Sequence, residues 1–353
     1  MNSKERIELA LAFQSTDHIP ISNICAGINA PALAEFDHYL RETKGVDAKS
    51  YLDGVIDLKE IWSFDIIPGY DYNNDCWGVK RKQVSYGAGS YDEIYYYPLE
   101  KAQTVDDIKN HPWPQTSWFD YSRVPGQVKS TKARPDQQLT ASIANPFETS
   151  WYMRGLEQIF MDMMIQPEMV HAMMDCVTGF YMEHFKRFID AADGEIPVAF
   201  TADDIGGQDG LLVSLDMWEE FIKPYHVKLN RELHNLGVKV VYHTCGSVVE
   251  AIDGLIDMGI DILQSVQTSA KGMDPHVLKE KAGKKLCFEG GVCVQQLLPF
   301  GTREKVVETT RQLIQTLGKD GGYILGPSHY IQAGTPPENI EAMFDTALTY
   351  YPF

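Results

Sequence analysis

The sequence predicts a single α/β barrel built on a parallel sheet. Three observations lead there. Short apolar runs alternate along the chain with amphipathic helical stretches, the rhythm of βα units. Ligand-capable polar residues recur at the same end of successive candidate strands, where the loops of such a barrel begin. The length, 353 residues without a linker, low-complexity tract or short-period repeat, suits one large barrel, which commonly runs past about 250 residues.

Taken in order, the first candidate strand is Ile19–Ser22. The region from about Tyr70 to Pro114 breaks the rhythm: it is rich in Tyr, Asn, Asp and Gly and contains YDEIYYYPL, which reads as an insertion or hairpin excursion. Residues 1–353 therefore form one barrel domain with an elaborated N-terminal region. Strands follow at Leu139–Ala144, Val198–Ala202, Val238–Tyr242, Ile260–Ser265, Leu286–Phe288 and Tyr323–Leu325. They are brief, apolar and often end in polar residues, as strands buried in a parallel sheet do. Helical patterns lie between or after them at Ser150–Met164, Pro167–Ala191, Ser214–Leu236, Ser247–Met258, Arg303–Leu317 and Pro337–Leu348. The run Met161–Met164 reads as adaptable packing, and the pairs Gly290-Gly291 and Gly321-Gly322 as turns.

Hydrophobic residues at 44% and charged residues at 23% allow a full-sized core and argue against disorder. The net charge of -18 repels phosphate backbones, so no nucleic-acid partner is expected. The start, MNSKERIELALAF, lacks the apolar run of a signal peptide, and no stretch of about 20 apolar residues suggests a membrane span. Six cysteines without a small-scaffold disulfide rhythm suit a reducing cytoplasm, where thiols are buried, catalytic or metal-bound.

The strand ends concentrate the chemistry. Val198–Ala202 runs into Asp203-Asp204, and Val238–Tyr242 into His243-Thr244-Cys245-Gly246. The next ends carry Gln264-Ser265-Val266-Gln267, Glu289-Gly290-Gly291 and Gly326-Pro327-Ser328-His329. His243 and Cys245 are two apart on a strand, so imidazole and thiolate point to one face. That pair is a natural zinc donor set, and a catalytic zinc takes three protein ligands with one open position. A satisfied histidine beside a buried cysteine is the plainer account, outweighed by the other ligand types at neighbouring strand ends. Asp203 is a candidate catalytic group, and Asp204 a candidate substrate contact; paired carboxylates split their pKa values for acid–base work, whereas a helix N-cap is the structural alternative. Phe147, Glu148 and Trp151 follow a strand closely enough to wall a substrate pocket, and the many aromatic residues suit stacking on a phenyl ring. Cys293 reads as a structural cysteine.

Five segments carry a family resemblance: ERIELALAFQSTDHIPI, DDIGGQDGLLVSLDMWEEFIKPYH, YHTCGSVVEAIDGLIDMGIDILQSVQTSAKGMDP, FEGGVCVQQLLPFGTREKV and GGYILGPSHYIQAGTPPENIEAM. In this order they resemble the uroporphyrinogen decarboxylase-like superfamily over nearly the whole chain. The resemblance implies a (β/α)8 TIM barrel with its active site at the carboxyl ends of the strands. Decarboxylases of the superfamily carry an arginine-rich N-terminal segment for the acidic tetrapyrrole; here ISNICAGINAPALAEFDHYL has no arginine before Arg41. The chain is thereby similar to the corrinoid-dependent methyltransferases and O-demethylases of the superfamily, whose zinc sits on an H-x-C pair and a third ligand from a later strand end. His243 and Cys245 match the pair. His329 stands where many relatives have cysteine, with Glu289 as a rival third ligand or catalytic group. Gln267 stands where a related class supplies a carboxylate, and is expected to touch substrate instead.

What the resemblance implies is methyl transfer from a small methylated donor, an aromatic methyl ether being the expected one, to the cob(I)alamin of a separate corrinoid protein. No D-x-H-x-x-G corrinoid motif occurs in this chain. Zinc would act as a Lewis acid on the donor. The alternatives are a methylcorrinoid-to-thiol methyltransferase, a metal-free decarboxylase working through Asp203, and a catalytically silent partner of a corrinoid protein. A homodimer is the default assembly.

Overall fold

Every residue of Val198–Ala202 and Ile262–Val266 is buried, as a strand covered on both faces must be. These are β5 and β7 of the computed structural model, which describes residues 1–85 and 90–350, apart from the side chains of 142 and 143. The other strands are β1 (Leu58–Trp62), β2 (Lys80–Ser85), β3 (Ser90–Tyr96), β4 (Gln138–Ala144), β6 (Lys239–His243), β8 (Cys287–Val292) and β9 (Tyr323–Pro327). Seven of them form one parallel sheet in the order β1-β4-β5-β6-β7-β8-β9. Helices follow the strands, as parallel connections require.

The two sheet edges meet through one segment. Ile21 bridges to Leu325 of β9 and Ser22 bridges to Leu58 of β1, both in parallel. Ser22 donates its N–H to the Leu325 carbonyl at 2.9 Å, and Leu58 donates to the Ile21 carbonyl at 3.3 Å. The expected strand Ile19–Ser22 is thus a pair of isolated bridges. Pro20 has no N–H to extend the ladder, although its carbonyl accepts from Leu325 N at 2.8 Å.

Inside the ring of strands, Leu58, Val198, Phe200, Val241, Ile262, Cys287 and Ile324 form a core separate from the larger one under the helices. Ile7 and Ala10, on the helix Ser3–Leu11, belong to this inner core. The helix sits across the amino ends of the strands: Ala10 accepts from Gly322 N just before β9, and Ser3 Oγ donates to Asp57 just before β1. Arg6 holds it there through Asp57 at 2.6 Å and Asp17 at 2.8 Å. The amino end is plugged, so a ligand enters at the carboxyl end.

Three expectations are corrected. The helical pattern Ser150–Met164 is two helices, Pro146–Arg154 and Leu156–Ile165, because Gly155 between them adopts φ 95°, a conformation open mainly to glycine. Ser214–Leu236 likewise divides into Leu215–Phe221 and Lys223–Asn235, the second restarting with Pro224 in its first turn. Ser247–Met258 shrinks to Ile252–Asp257. Strand β1 was not anticipated: Leu58-Lys59-Glu60-Ile61-Trp62 has charge at its centre, which hides the apolar signal.

The excursion contains an antiparallel hairpin, β2 paired with β3; its tip, residues 86–89, lies outside the described residues. The approach to it is part of the main core. Trp77 packs edge-on against Phe180 at 5.0 Å and lies 5.3 Å from Tyr181, both on the long helix Pro167–Ala191. Among the described residues, no helix is long and apolar enough to cross a membrane.

Candidate active site

Parallel register aligns the polar strand ends. Ala202 pairs with His243, His243 with Gln264, and Gln264 with Glu289. His243 and Gln264 hydrogen-bond through Nδ1 and Oε1. Gln264 donates through Nε2 to the Ile24 carbonyl at 2.7 Å, so its Oε1 must accept. Nδ1 of His243 therefore carries a hydrogen, which in the neutral ring leaves the lone pair on Nε2. A ring fixed in this way by a neighbour's hydrogen bond is the usual arrangement of a metal-ligating histidine.

Possible partners surround that lone pair. Cys245 Sγ lies 3.6 Å from His243 Nε2, and Asp204 Oδ1 lies 3.7 Å from it. Asp204 Oδ1 also accepts the Cys245 N–H at 2.7 Å, which fixes the turn after β6. The ligand atoms of Asp204, His243 and Cys245 all lie within 4.8 Å of one another, and so do those of Cys25, His243 and His329. His243 is common to both groups; Cys245 belongs to one and His329 to the other. The expected trio is thus spread over two clusters that share one residue.

The donor chemistry fits zinc. Burial, reinforced by His243, lowers the pKa of His329 and keeps it a neutral imidazole. Burial, then Asp204, raises the Cys245 thiol well above its ordinary range, so its thiolate wants a cation beside it, which a metal at His243 Nε2 would supply. Gln264→Ala is expected to weaken zinc affinity by about 10–100-fold, the usual effect of losing a ligand's outer hydrogen bond. Competition with a chromophoric chelator measures it; an unchanged affinity would show that Gln264 does not orient the ring.

His243, His329, Cys25 and Asp204 face a cavity of about 320 Å³. Most of the other lining residues are aromatic: Trp62, Phe64, Tyr70, Tyr72, Trp77, Tyr152, Tyr181 and Phe200. Tyr70, Tyr72, Trp77 and the pair Asp75–Arg81 come from the segment read as a mere insertion. Arg81 is the only cation that lines the cavity among the described residues apart from the histidines. It is bound to Asp75 at 2.6 Å and lies over the Tyr72 ring at 4.4 Å. A larger open depression of about 1030 Å³, lined by Phe13, Lys279, Lys284 and Lys319, sits at the opposite rim of the sheet, away from every ligand-type strand end.

Glu148 lines the cavity beside Asp204. Burial, then the charges of Asp204 and Asp203, pushes its carboxyl up to about 8, so it holds a proton at neutral pH. Asn145 Nδ2 donates to its Oε2 at 3.0 Å. Phe147 turns inward against Phe160. Trp151 packs edge-on against Tyr152 at 4.3 Å, and of these two rings it is Tyr152 that faces the cavity.

Asp203 and Glu289 lie behind this surface. Asp203 is fully buried and accepts the N–H groups of Phe147 at 3.0 Å and Glu148 at 2.7 Å, with His226 Nε2 at 2.6 Å. It thereby caps the helix Pro146–Arg154, which carries Glu148, from a neighbouring strand end. Gln267 accepts from Gly246 N at 2.9 Å and approaches Gln208 and Gln295 at 3.3 and 3.4 Å, stitching loops together. Gln264, three residues earlier, is the glutamine that reaches the metal-type histidine, and its register opposite His243 was the signal for it.

Glu289 is fully buried with neither oxygen in an ordinary hydrogen bond, and it belongs to neither ligand cluster. Burial is the main reason that its carboxyl rises to about 8 from an ordinary 4.5. A raised carboxyl binds a proton in the folded chain that the unfolded chain has already lost, so stability falls as pH rises from about 5 to about 8, by up to about 1.4 kcal/mol per unit for each such group. Glu289→Gln is expected to flatten that slope and to be more stable than the parent near pH 8. Denaturant melts at both ends of the window test this; parallel curves would refute it.

A family model described as Uroporphyrinogen decarboxylase (URO-D) matches residues 96–350. The chain belongs to the uroporphyrinogen decarboxylase family. Among curated relatives, it is 26% identical over 235 residues to a Methylated-thiol--coenzyme M methyltransferase of Methanosarcina mazei, covering 65% of this chain and 59% of that protein. It is 21% identical over 229 residues to a Methylcobamide:CoM methyltransferase of Methanosarcina acetivorans, covering 64% and 62%. Relatives named uroporphyrinogen decarboxylase are matched as well. The chain thus spans about three fifths of the length of these two methyltransferases. A solved structure described as a methyltransferase from Methanosarcina mazei superposes with TM-score 0.70 at 19% identity, covering 98% of both chains, which establishes a shared fold.

Proposed function

We propose that this member of the uroporphyrinogen decarboxylase family is a zinc-dependent methyltransferase. It would move a methyl group from a small methylated donor, an aromatic methyl ether by our reading, to the corrinoid of a partner protein. The observation that carries the reading is His243 at the wall of an aromatic cavity, its ring hydrogen-bonded at Nδ1 and surrounded by thiol, carboxylate and imidazole groups. Methyltransferase names among the relatives point the same way. On this reading the edge bridges at Ile21 and Ser22 stand for the eighth strand of a (β/α)8 barrel.

The residues that would hold zinc are His243, Cys245 and His329. When bound, zinc supplies Lewis acidity toward the donor's heteroatom. The chain's own groups do the rest. Aromatic walls orient an aryl ring and exclude water. Glu148, protonated at neutral pH, stands ready to give its proton to an oxygen that departs with the bonding pair when the methyl group leaves. Asp203 positions Glu148 by holding the first turn of its helix. Asp204 holds the turn that carries Cys245.

Decarboxylation of a tetrapyrrole is disfavoured by the cavity itself. Its one arginine is already paired with Asp75, while the Asp204 carboxyl group faces inward, a poor reception for a polyanion. The test combines metal analysis with a methyl-transfer assay using reduced cob(I)alamin and a panel of methoxylated aromatics, methylamines and methanol. About one zinc per chain and turnover of a methoxylated aromatic are expected. Turnover only from methylated cobalamin to a thiol would replace the ether reading with the thiol alternative, and a metal-free, inactive protein would refute the proposal.

A further inference from the structure

Cys25 lies far upstream of the H-x-C pair, on the segment that follows the Ile21 and Ser22 bridges. The fold brings it to His243. Its Sγ and the ring nitrogens of His243 and His329 lie within 4.8 Å of one another, and all three side chains line the same cavity. Ligands of one tetrahedral zinc stand about 3.5 Å apart, given bonds of about 2.0 Å to nitrogen and 2.3 Å to sulfur. The cluster therefore needs to contract by at most about 1.3 Å to close on an ion.

Two of the three ligands share a support. Gln264 hydrogen-bonds His243 through Oε1 and holds the carbonyl of Ile24, the residue before Cys25, through Nε2 at 2.7 Å. One amide thus sets the imidazole and the thiol-bearing turn relative to each other. The Cys25 N–H is tied to Glu60 Oε2 at 3.2 Å, and its φ of 47° turns the residue out of the extended path.

We propose that Cys25 is a ligand of the metal ion held at His243, so that the ion carries two thiolates, those of Cys25 and Cys245. The inference rests on the zinc reading above and adds to it a ligand outside the H-x-C pattern. Two thiolates would offset the charge of a divalent ion, and two neutral imidazoles would complete a closed resting site. One ligand must then yield, or the shell expand, when a donor binds.

The experiment is X-ray absorption at the zinc edge of the unmodified protein, with thiolate-to-metal charge-transfer spectra of the cobalt(II)-substituted protein. Two sulfur neighbours per zinc are expected. The charge-transfer band should fall about twofold in Cys25→Ser and about twofold in Cys245→Ser. One sulfur per zinc, or a full-strength band in Cys25→Ser, overturns the assignment of Cys25 while leaving the zinc proposal standing. A parent protein that retains no metal overturns both. The absorption measurement on the parent chain decides the matter even where Cys25→Ser fails to fold.

Discussion

On the proposed zinc methyltransferase reading, His243→Ala is expected to strip the protein of zinc and to lower methyl transfer by at least about a thousandfold, some 4 kcal/mol of lost transition-state stabilisation. The size follows from the position of the ring. His243 is the member common to both ligand clusters, so its loss disconnects Cys245 and Asp204 from Cys25 and His329 at once. The lost imidazole also leaves Gln264 Oε1 unpartnered in a buried setting, at about 1–3 kcal/mol of stability. Metal content by mass spectrometry, a thermal melt and a single-turnover assay separate these effects. Retained zinc with near-normal transfer would remove the metal from the mechanism.

The second large effect is on folding. Arg81→Ala is expected to destabilise the chain by about 3–5 kcal/mol, the usual result of removing one partner of a buried ion pair. Arg81 and Asp75 side chains are only 5% and 4% exposed and meet at 2.6 Å. Asp75 is already raised by burial, and Arg81 is the group pulling it back. Without the guanidinium its carboxyl rises further, so the variant should lose additional stability as pH increases, the sign for any carboxyl whose folded pKa is raised. Asp75 also accepts the N–H groups of Trp77 and Val79 at 3.0 Å, so the damage reaches the cavity wall. Adding Asp75→Asn to Arg81→Met, which removes both charges and keeps an acceptor oxygen, should recover part of the loss. Denaturant unfolding measures both variants; a cost for Arg81→Ala below about 1 kcal/mol would mean that the pair is more hydrated than its burial implies.

Loss of Arg81 matters beyond stability because its segment was legible only as an interruption. Tyr70, Tyr72, Trp77 and Arg81 carry no apolar period and no ligand spacing, yet they form much of the cavity. Local pattern is blind to them because their contacts run to Tyr152 and Tyr181 on distant helices. Gln264 shows the opposite case: it sat in a strand-end run already singled out, but choosing it over Gln267 required the parallel register with His243.

From the sequence alone came the βα rhythm, most of the strands, the family, and the H-x-C pair at the end of one strand, because these are encoded in residues close together and read by short periods. Tertiary structure decided which groups converge. It set Cys245 and His329 in different clusters around His243, withdrew Asp203 and Glu289 behind the cavity surface, and brought Cys25 to His243 from far upstream. Such placements depend on how a sheet curls and in what register its strands pair, sums over hundreds of distant contacts that no local window contains.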